Sequence, residues 1–445
     1  MRSNNAISDD TSPKPTATGF SFAVGFFFAF RLFIVLLSVR VLGAEPQTGV
    51  ELSLAVNFLL LCAVAFGALG NARDPAISML GLASVRWVFL FLIFSGCSLA
   101  WSSTASLPAA IIYWCAMVTD VGMVLLLLRA DNAVDVAIPL MKGFVWGACC
   151  IALIAWLMPA QSDLRLGDEE LLGPNQIGYL CGFAIFFAQY LIRRKEGSWG
   201  FAALFLGVTL LRSLSKTTIA AFLVSEIVLL IRDKSMARRT KVLLVVGAVA
   251  IVAAFWGLLE SYYDVYTNAG NQAETLTGRL GIWAYILESA LEQPWIGHGF
   301  HSVWKVIPPF GDFEARHAHN ELLQQFYAYG VVGIGMLAGL YGSLYRQSRK
   351  LANGTVKTLV VGMLMFVVVR GFADTEPFDL SLPLWTIVLF SVLIQYRQKL
   401  HERSQSFAVL QEQELECFTP PNVSASSPEN RDISHPGGFP TVTAL

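Results

Sequence analysis

The chain is dominated by apolar runs of roughly 20 residues or more, each long enough to cross a bilayer as an α-helix. It is 55% hydrophobic and only 14% charged, whereas a soluble domain carries about 25% charged residues. The pattern therefore predicts an all-α polytopic membrane protein with about twelve spans. The candidate spans are 19–42, 50–70, 84–101, 107–128, 134–159, 174–192, 199–212, 215–231, 241–260, 320–345, 357–373 and 381–397.

Basic residues set the orientation of these spans. Clusters such as Arg193–Lys195, Arg238–Lys241 and Arg346–Lys350 fall in alternate connections, and the other connections are nearly free of them. Because basic loops stay in the cytoplasm, we expect both termini to be cytoplasmic and the chain to lie in a bacterial inner membrane. The net charge of -1 provides no basic face for nucleic acid.

The spans predict five regions along the chain. These are a cytoplasmic polar N-tail (1–18), nine transmembrane helices (19–260), a large periplasmic catalytic loop with interfacial helices (261–319), three further transmembrane helices (320–397) and a cytoplasmic C-tail (398–445). The C-tail is rich in Ser, Pro, Glu and Asn, so we expect it to be disordered.

The polar stretch 277–320 holds four of the six histidines: His298, His301, His317 and His319. Such a concentration in an apolar chain indicates where chemistry takes place. A helix is predicted from Thr275 or Thr277 to about Glu292, where Pro294 stops it. Its apolar face would consist of Trp283, Ile286, Leu287 and Ala290.

Arg279 falls in the first turn of that predicted helix. A cation there opposes the helix dipole, so a nearby anion would be stabilising, and phosphate binds well at helix N-termini. A solvated arginine or one bound to a lipid headgroup is the alternative.

His319 and Asn320 come just before the span 320–345, at a helix N-terminus. The positive end of the dipole disfavours a protonated imidazole, and a neutral histidine can act as a general base. A capping role without chemistry is the alternative. A zinc site with His317 is not expected, because no carboxylate or cysteine cluster completes the ligand set. We predict neither a metal nor a cofactor.

Arg212 and Lys216 lie at the outer end of the hairpin formed by spans 199–212 and 215–231. Charged residues at the edge of a bilayer are costly and are usually functional, although they also snorkel to headgroups. Four hydroxyl residues surround them, so the hairpin could bind an oxyanion or a pyrophosphate. These neighbours are Ser213, Ser215, Thr217 and Thr218.

Several other polar groups allow more than one interpretation. Asn175 opens the sixth span and could orient a sugar or phosphate, although a structural cap is the alternative. Arg31 and Asp120 are isolated inside spans, where buried pairing or snorkelling would explain them. The acidic stretch between the last two spans is expected to be solvated. Its members are Asp374, Glu376 and Asp379.

Five sequence pieces together resemble a known family. They are SLAWS (98–102), GPNQIG (173–178), SLSKTT (213–218), TGRLGIWAYILE with PWIGHGF (277–288 and 294–300) and HAHNELLQQFYAYGVVG (317–333). Their order is similar to that in the O-antigen ligase and Wzy-type polysaccharide polymerase superfamily, and within it to exopolysaccharide polymerases of the ExoQ kind.

The resemblance implies a metal-independent, GT-C-like membrane glycosyltransferase. Its donor would be a glycan on undecaprenyl pyrophosphate, with Arg279 binding the pyrophosphate and His319 activating the acceptor hydroxyl. We expect substrate-binding roles for Lys216, Arg212, Asn175, Asn320, His317 and His298. Ligases of the family often carry arginine where this chain has Lys216, and lysine lacks the bidentate fork. That difference favours a polymerase.

The sequence is compatible with three functions. The leading one is an inverting polymerase of lipid-linked repeat units at the periplasmic face. The second is an O-antigen ligase that transfers the glycan to lipid A-core. The third is a transporter or flippase for lipid-linked sugars. Partners would be the lipid-linked donor, the glycan or lipid A-core acceptor, membrane lipids, and chain-length regulator and export proteins.

Overall fold

The computed structural model describes residues 15–69, 78–159, 165–168, 171–232, 237–254, 257, 276–304, 317–375 and 380–418. Within these ranges no β-strand is present, and an isolated bridge joins Asp168 to Leu172. The described helices are α1 Pro15–Arg40, α2 Pro46–Leu69, α3 Ala83–Ser98, α4 Leu107–Ala130, α5 Ala133–Leu157, α6 Pro174–Arg193, α7 Gly200–Arg212, α8 Lys216–Arg232, α9 Arg238–Ala254, α10 Leu276–Ala290, α11 Glu321–Arg349, α12 Thr355–Gly371 and α13 Ser381–Phe418.

Each predicted span overlaps one of these helices. Seven helices, α1 to α6 and α11, are long and apolar enough to cross a membrane. Over the described residues the all-helical prediction is thus confirmed, and the apolar helices are consistent with a polytopic membrane protein. Helix α7 has only 13 residues, which gives about 20 Å of rise against a hydrocarbon core of about 30 Å. The figure of twelve crossings therefore stays a prediction.

Glycines bring α1 and α5 into close contact. A Cβ on Gly25 would lie 1.9 Å from the Leu140 carbonyl oxygen, and one on Gly143 would lie 2.0 Å from that of Phe22. Small residues let helices approach closely where the bilayer provides no hydrophobic drive between them. Any larger residue at Gly25 or Gly143 would force the two helices apart.

The isolated charges of α1 and α4 form a buried pair. Arg31 Nη1 lies 2.6 Å from Asp120 Oδ2, and Asn57 Nδ2 donates to the other carboxylate oxygen at 3.0 Å. Ser381, the first residue of α13, also donates to Asp120. Buried pairing, rather than snorkelling, accounts for both charges.

Residues Pro294–Phe300, here named the GHG segment, contact the middle of α11. The helix is broken at Gly330, whose φ of 61° and ψ of -154° are not helical. The amides of Val331 and Val332 donate to the carbonyls of Pro294 and Trp295 (2.8 and 3.3 Å). At a rise of about 1.5 Å per residue, Gly330 is about 14 Å along the axis from Glu321, so this part of the predicted loop lies beside the helix.

Helix α10 matches the predicted helix in its extent, and part of its predicted apolar face is buried. Ile282, Ile286 and Ala290 are buried, and Trp283 is partly buried beside them. Leu287, the remaining member of the predicted apolar face, is 44% exposed. The periodicity identified a helix, but the contact with α11 selects a face rotated away from Leu287.

The C-terminal helix is longer than the predicted span. Helix α13 continues to Phe418, so the first part of the region predicted as a disordered tail is helical. By internal contacts, the described residues up to Gln398 form one compact unit and those from Lys399 onward belong to a second. Residues 419–445, with His435, lie outside the described residues.

Candidate functional site

Asn320 begins α11 and ties it to the end of α12. Its Oδ1 accepts a hydrogen bond from the Leu323 amide at 3.1 Å, which is an N-cap. Its Nδ2 donates to the Phe372 carbonyl at 2.9 Å. The predicted helix N-terminus is confirmed, and this cap places the preceding His319 beside the α12–α13 connection.

His319 is held in a buried position by its neighbours. Its side chain is 11% exposed and its ring centroid lies 4.1 Å from that of His317, whose side chain is 40% exposed. The indole of Trp283 in α10 donates to the Ala318 carbonyl at 3.0 Å. Helix α10 thereby fixes the turn that carries both histidines.

Asp374 faces the two histidines from the α12–α13 connection. Its Oδ1 lies 3.4 Å from His319 Nδ1 and 3.7 Å from His317 Nε2, and the carboxylate is 1% exposed. The expectation of a solvated Asp374 was therefore wrong. Glu376 and Asp379 of the same acidic stretch lie outside the described residues.

Arg370, in the last turn of α12, neutralises Asp374. Its Nη2 lies 2.7 Å from Asp374 Oδ2 and its Nη1 donates to the Thr375 carbonyl at 2.8 Å. The guanidinium also lies over the Tyr179 ring, 4.4 Å from its centroid, a cation–π geometry. The sequence reasoning missed this residue. A lone arginine at the end of an apolar run, followed four residues later by an aspartate, was the available signal.

A short hydrogen-bond chain leads from Arg370 to the sixth span. Arg370 Nε donates to Thr218 Oγ1 at 3.3 Å, and Ser215 Oγ lies 2.8 Å from that oxygen. Ser215 Oγ also donates to Asn175 Oδ1 at 2.7 Å. The start of α6, the start of α8 and the end of α12 thus meet in one polar network.

Arg279 reaches the same connection from α10. It is the fourth residue of that helix, and its Nη1 donates to the Ala373 carbonyl at 2.5 Å. Its side chain is half-buried. Ala373 precedes Asp374, so the guanidinium lies next to the histidine–aspartate group.

The hairpin cations flank this network along the chain. Arg212 ends α7 with a half-buried side chain, and Lys216 begins α8 with an exposed one. Between them, Ser215 is buried and bonded to Asn175. An exposed lysine beside a buried polar network is accessible to a charged ligand. The binding role of Lys216 stays a prediction.

Two other loop histidines have structural partners. His298 is 8% exposed, its Nε2 lies 2.9 Å from the Ser289 carbonyl, and its ring stacks on Tyr327 at 4.3 Å. His301 stacks on Tyr113 at 4.9 Å. These contacts give no support to a substrate-binding role for His298.

Electrostatics keep His319 neutral. Burial and the adjacent His317 lower its pKa from 6.5 to about 4, Asp374 acts in the opposite direction, and Arg279 lowers the pKa further. For Asp374, burial would raise the pKa, but Arg370 and the two histidines outweigh it and hold the pKa well below 3.8. At neutral pH the site therefore combines an anionic carboxylate with an uncharged imidazole.

Stability should depend on pH through His319. Its pKa of about 4 lies below the ordinary 6.5, so between these values the unfolded chain binds a proton that the folded chain does not. The resulting stabilisation, at most about 3 kcal/mol, is present above pH 6.5 and is lost as the pH falls towards 4. The thermal midpoint should therefore drop more between pH 7 and 5 for the wild type than for His319→Ala. Equal drops would contradict the assignment. The stabilisation that Asp374 contributes is lost only when the pH falls to about 3.8 and below.

The histidine–aspartate group also has the spacing of metal ligands. One atom from each of His317, His319 and Asp374 lies within 4.8 Å of the others, so the expectation that no carboxylate completes the set was wrong. Asp374 is already paired with Arg370, however, and Arg279 adds positive charge nearby. Both effects oppose a cation at this position, and metal independence stays a prediction.

Part of the chain matches a known protein family. Residues 201–338 match the family described as O-Antigen ligase. That range includes Lys216, Arg279 and His319 but ends before Arg370 and Asp374.

Two relatives support this match. The exopolysaccharide production protein ExoQ of Rhizobium meliloti is 25% identical over 330 residues, which cover 66% of this chain and 73% of that protein. An O-antigen ligase of Pseudomonas aeruginosa is 27% identical over 135 residues, which cover 30% of this chain and 32% of that protein. These matches support the resemblance of the chain to the O-antigen ligase and Wzy-type polysaccharide polymerase superfamily.

Proposed function

We propose that the protein is an inverting, metal-independent glycosyltransferase of the bacterial inner membrane. It joins oligosaccharide repeat units carried on undecaprenyl pyrophosphate into exopolysaccharide or O-antigen at the periplasmic face. One observation carries the proposal: the neutral, buried His319 lies against Asp374 while Arg279 binds the adjacent Ala373 carbonyl. A base and a cation are the two groups that transfer from a pyrophosphate donor requires.

Asp374 defines which nitrogen of His319 acts. Nδ1 lies 3.4 Å from the carboxylate, so we assign the proton to Nδ1 and the accepting lone pair to Nε2. The carboxylate then stabilises the imidazolium that forms, as in other histidine–aspartate pairs. The charge of a bound pyrophosphate would raise the His319 pKa, so base strength would increase when the donor is present.

The transfer step follows from these positions. The acceptor hydroxyl gives its proton to His319 Nε2 while its oxygen attacks the anomeric carbon of the donor. A glycosidic C–O bond forms, and the bond from that carbon to the pyrophosphate oxygen breaks, with the electron pair leaving on the pyrophosphate. Arg279, with Lys216 at the start of α8, neutralises the departing charge. The proton then passes from His319 to the pyrophosphate or to water.

Arg279→Lys should weaken donor binding. Lysine keeps the charge, but it lacks the planar fork with which a guanidinium can bond the Ala373 carbonyl through one nitrogen and offer parallel donors to a phosphate. We expect the apparent affinity for the lipid-linked donor to fall by about tenfold or more, measured by donor titration of the purified protein. The control is Arg86→Lys, an exposed arginine of α3. Wild-type donor affinity in Arg279→Lys would refute the phosphate role.

Activity should survive metal removal. Because the cationic surroundings of Asp374 oppose a divalent ion, dialysis against a chelator is expected to leave the transfer rate unchanged. The rate is compared before dialysis, after dialysis, and after addition of zinc or magnesium. A strict requirement for a divalent ion would contradict this prediction and favour a metal site at His317, His319 and Asp374.

The direct test is incubation of the purified protein with a defined lipid-linked repeat unit, with the product mass as readout. Products that grow by whole repeat units support the polymerase. In reconstituted vesicles, lipid-linked oligosaccharide that crosses the membrane without growing would favour the transporter and overturn the proposal.

The second candidate function is an O-antigen ligase, favoured by the family match and by the relative of that name. It shares the donor chemistry and differs in its acceptor, lipid A-core. A deletion strain separates the two. Loss of high-mass polysaccharide supports the polymerase, whereas intact polymer that is not attached to lipopolysaccharide supports the ligase.

A further inference from the structure

We propose that His298 is a positioning residue that sets the separation between the donor-binding Arg279 and the base His319. This inference rests on the proposed function. Arg279 is carried by α10 and His319 by the turn before α11, so their spacing depends on how the two helices are joined. The GHG segment forms part of that junction, beside the direct bond from Trp283 to the Ala318 carbonyl, and His298 lies at the centre of the segment.

The junction replaces two helical hydrogen bonds by four bonds between segments. In a regular α-helix Val331 and Val332 would donate to the carbonyls of residues 327 and 328. Here they donate to Pro294 and Trp295, while those helical carbonyls accept from the GHG segment instead. The two reverse bonds are His298 N to the Tyr327 carbonyl at 2.9 Å and Gly299 N to the Ala328 carbonyl at 2.8 Å.

Glycine is required on both sides of this junction. Gly297 and Gly330 have φ values of 63° and 61°. A Cβ on Gly297 would lie 2.4 Å from the Tyr329 amide nitrogen, and one on Gly330 would lie 2.4 Å from the Trp295 carbonyl carbon. The two backbones are therefore in direct contact, and small shifts of one segment are transmitted to the other.

The side chain of His298 connects this junction to α10. Its Nε2 donates to the carbonyl of Ser289, in the last turn of α10, at 2.9 Å. Its ring stacks on Tyr327 of α11, with centroids 4.3 Å apart and planes at 20°. One buried side chain thus links the helix that carries Arg279 to the helix that follows His319.

The SLAWS stretch holds the opposite side of the GHG segment. The Phe300 amide donates to Ser98 Oγ at 2.9 Å, and Ser103 N donates to the His298 carbonyl at 2.9 Å. Ser102 Oγ donates to the Phe300 carbonyl at 2.6 Å. The SLAWS stretch has no part in the catalytic chemistry. These bonds give it a structural role, because they fix the GHG segment from the side of the α3–α4 connection.

The test compares His298→Ala with His298→Gln in the full-length protein in lipid nanodiscs. Alanine removes the bond to Ser289 and the ring stack, whereas glutamine can still donate to that carbonyl. Displacement of reacting groups by about 1 Å can cost about a hundredfold in rate. We expect kcat of His298→Ala to fall by that order with little change in the KM for the lipid-linked donor, and His298→Gln to recover much of the loss.

Amide hydrogen exchange supplies a readout that needs no activity. In His298→Ala, exchange at residues 297–300 and 331–332 should accelerate by about tenfold to a hundredfold, the factor expected when a buried hydrogen bond is lost. His298→Gln should exchange more slowly than His298→Ala. The control is His401→Ala, which removes an exposed histidine of α13; it should leave exchange and kcat at wild-type levels.

The outcomes separate the two proposals. If the wild type transfers no glycan, the proposed function fails, while the exchange measurement still tests the junction. Unchanged exchange or unchanged kcat in His298→Ala would overturn the positioning role, as would absence of rescue by glutamine. Should His298→Ala fail to fold, Ser98→Ala removes one acceptor from the opposite side of the segment and is expected to produce the same loss of kcat and the same faster exchange at Phe300.

Discussion

Replacing His319 with alanine is expected to lower the transfer rate by about two to four orders of magnitude, the contribution of a positioned general base. The imidazole is the uncharged proton acceptor that faces Asp374, and its pKa of about 4 keeps it neutral throughout the physiological range. The measurement is kcat with a defined lipid-linked repeat unit and purified protein.

The control for this variant is His401→Ala. His401 is an exposed histidine of α13, so its removal should leave kcat unchanged. Folding of both variants is checked by elution profile and thermal midpoint. A correctly folded His319→Ala protein with wild-type kcat would remove the base from the mechanism.

Breaking the Arg370–Asp374 pair is expected to have the largest effect on stability. Both side chains are 1% exposed and their charged atoms are 2.7 Å apart. Asp374→Asn would leave a buried guanidinium without its counter-charge, which costs about 3–5 kcal/mol of unfolding free energy. It would also remove the carboxylate that orients His319, so kcat should fall.

A double variant separates these two effects. Removing both charges of a buried pair is better tolerated than removing one, so Arg370→Gln with Asp374→Asn should be more stable than Asp374→Asn alone. Its kcat should remain low, because His319 still lacks its carboxylate. Recovery of both stability and kcat in the double variant would show that Asp374 has a structural role only.

The sequence predicted those features that depend on local patterns. Long apolar runs located the helices, because a bilayer requires about 20 apolar residues per crossing. Arg279 in a first turn and Asn320 at an N-cap followed from helix start signals. These inferences need only the residues within one helix and its ends.

The rest of the site depends on contacts that no local pattern encodes. Asp374 was expected to be solvated because its acidic neighbours in the chain are polar, yet its environment is set by Arg370 and by two histidines more than fifty residues away. Leu287 was placed on one apolar face with Ile286 and Ala290, because helical periodicity defines a stripe without saying which side of it meets a neighbouring helix. Similarly, nothing in the composition of α11 indicates that the GHG segment replaces part of its backbone bonding.

That exchange of backbone bonds has a consequence for biogenesis. Tyr327 and Ala328 offer carbonyls whose donors come from residues synthesised earlier, and inside a bilayer no water can substitute for those donors. Without the GHG segment, those carbonyls would return to the Val331 and Val332 amides of a regular helix. The break at Gly330 therefore forms only as the segment and the helix come together, and we expect insertion of α11 to be coupled to the docking of a stretch made before it.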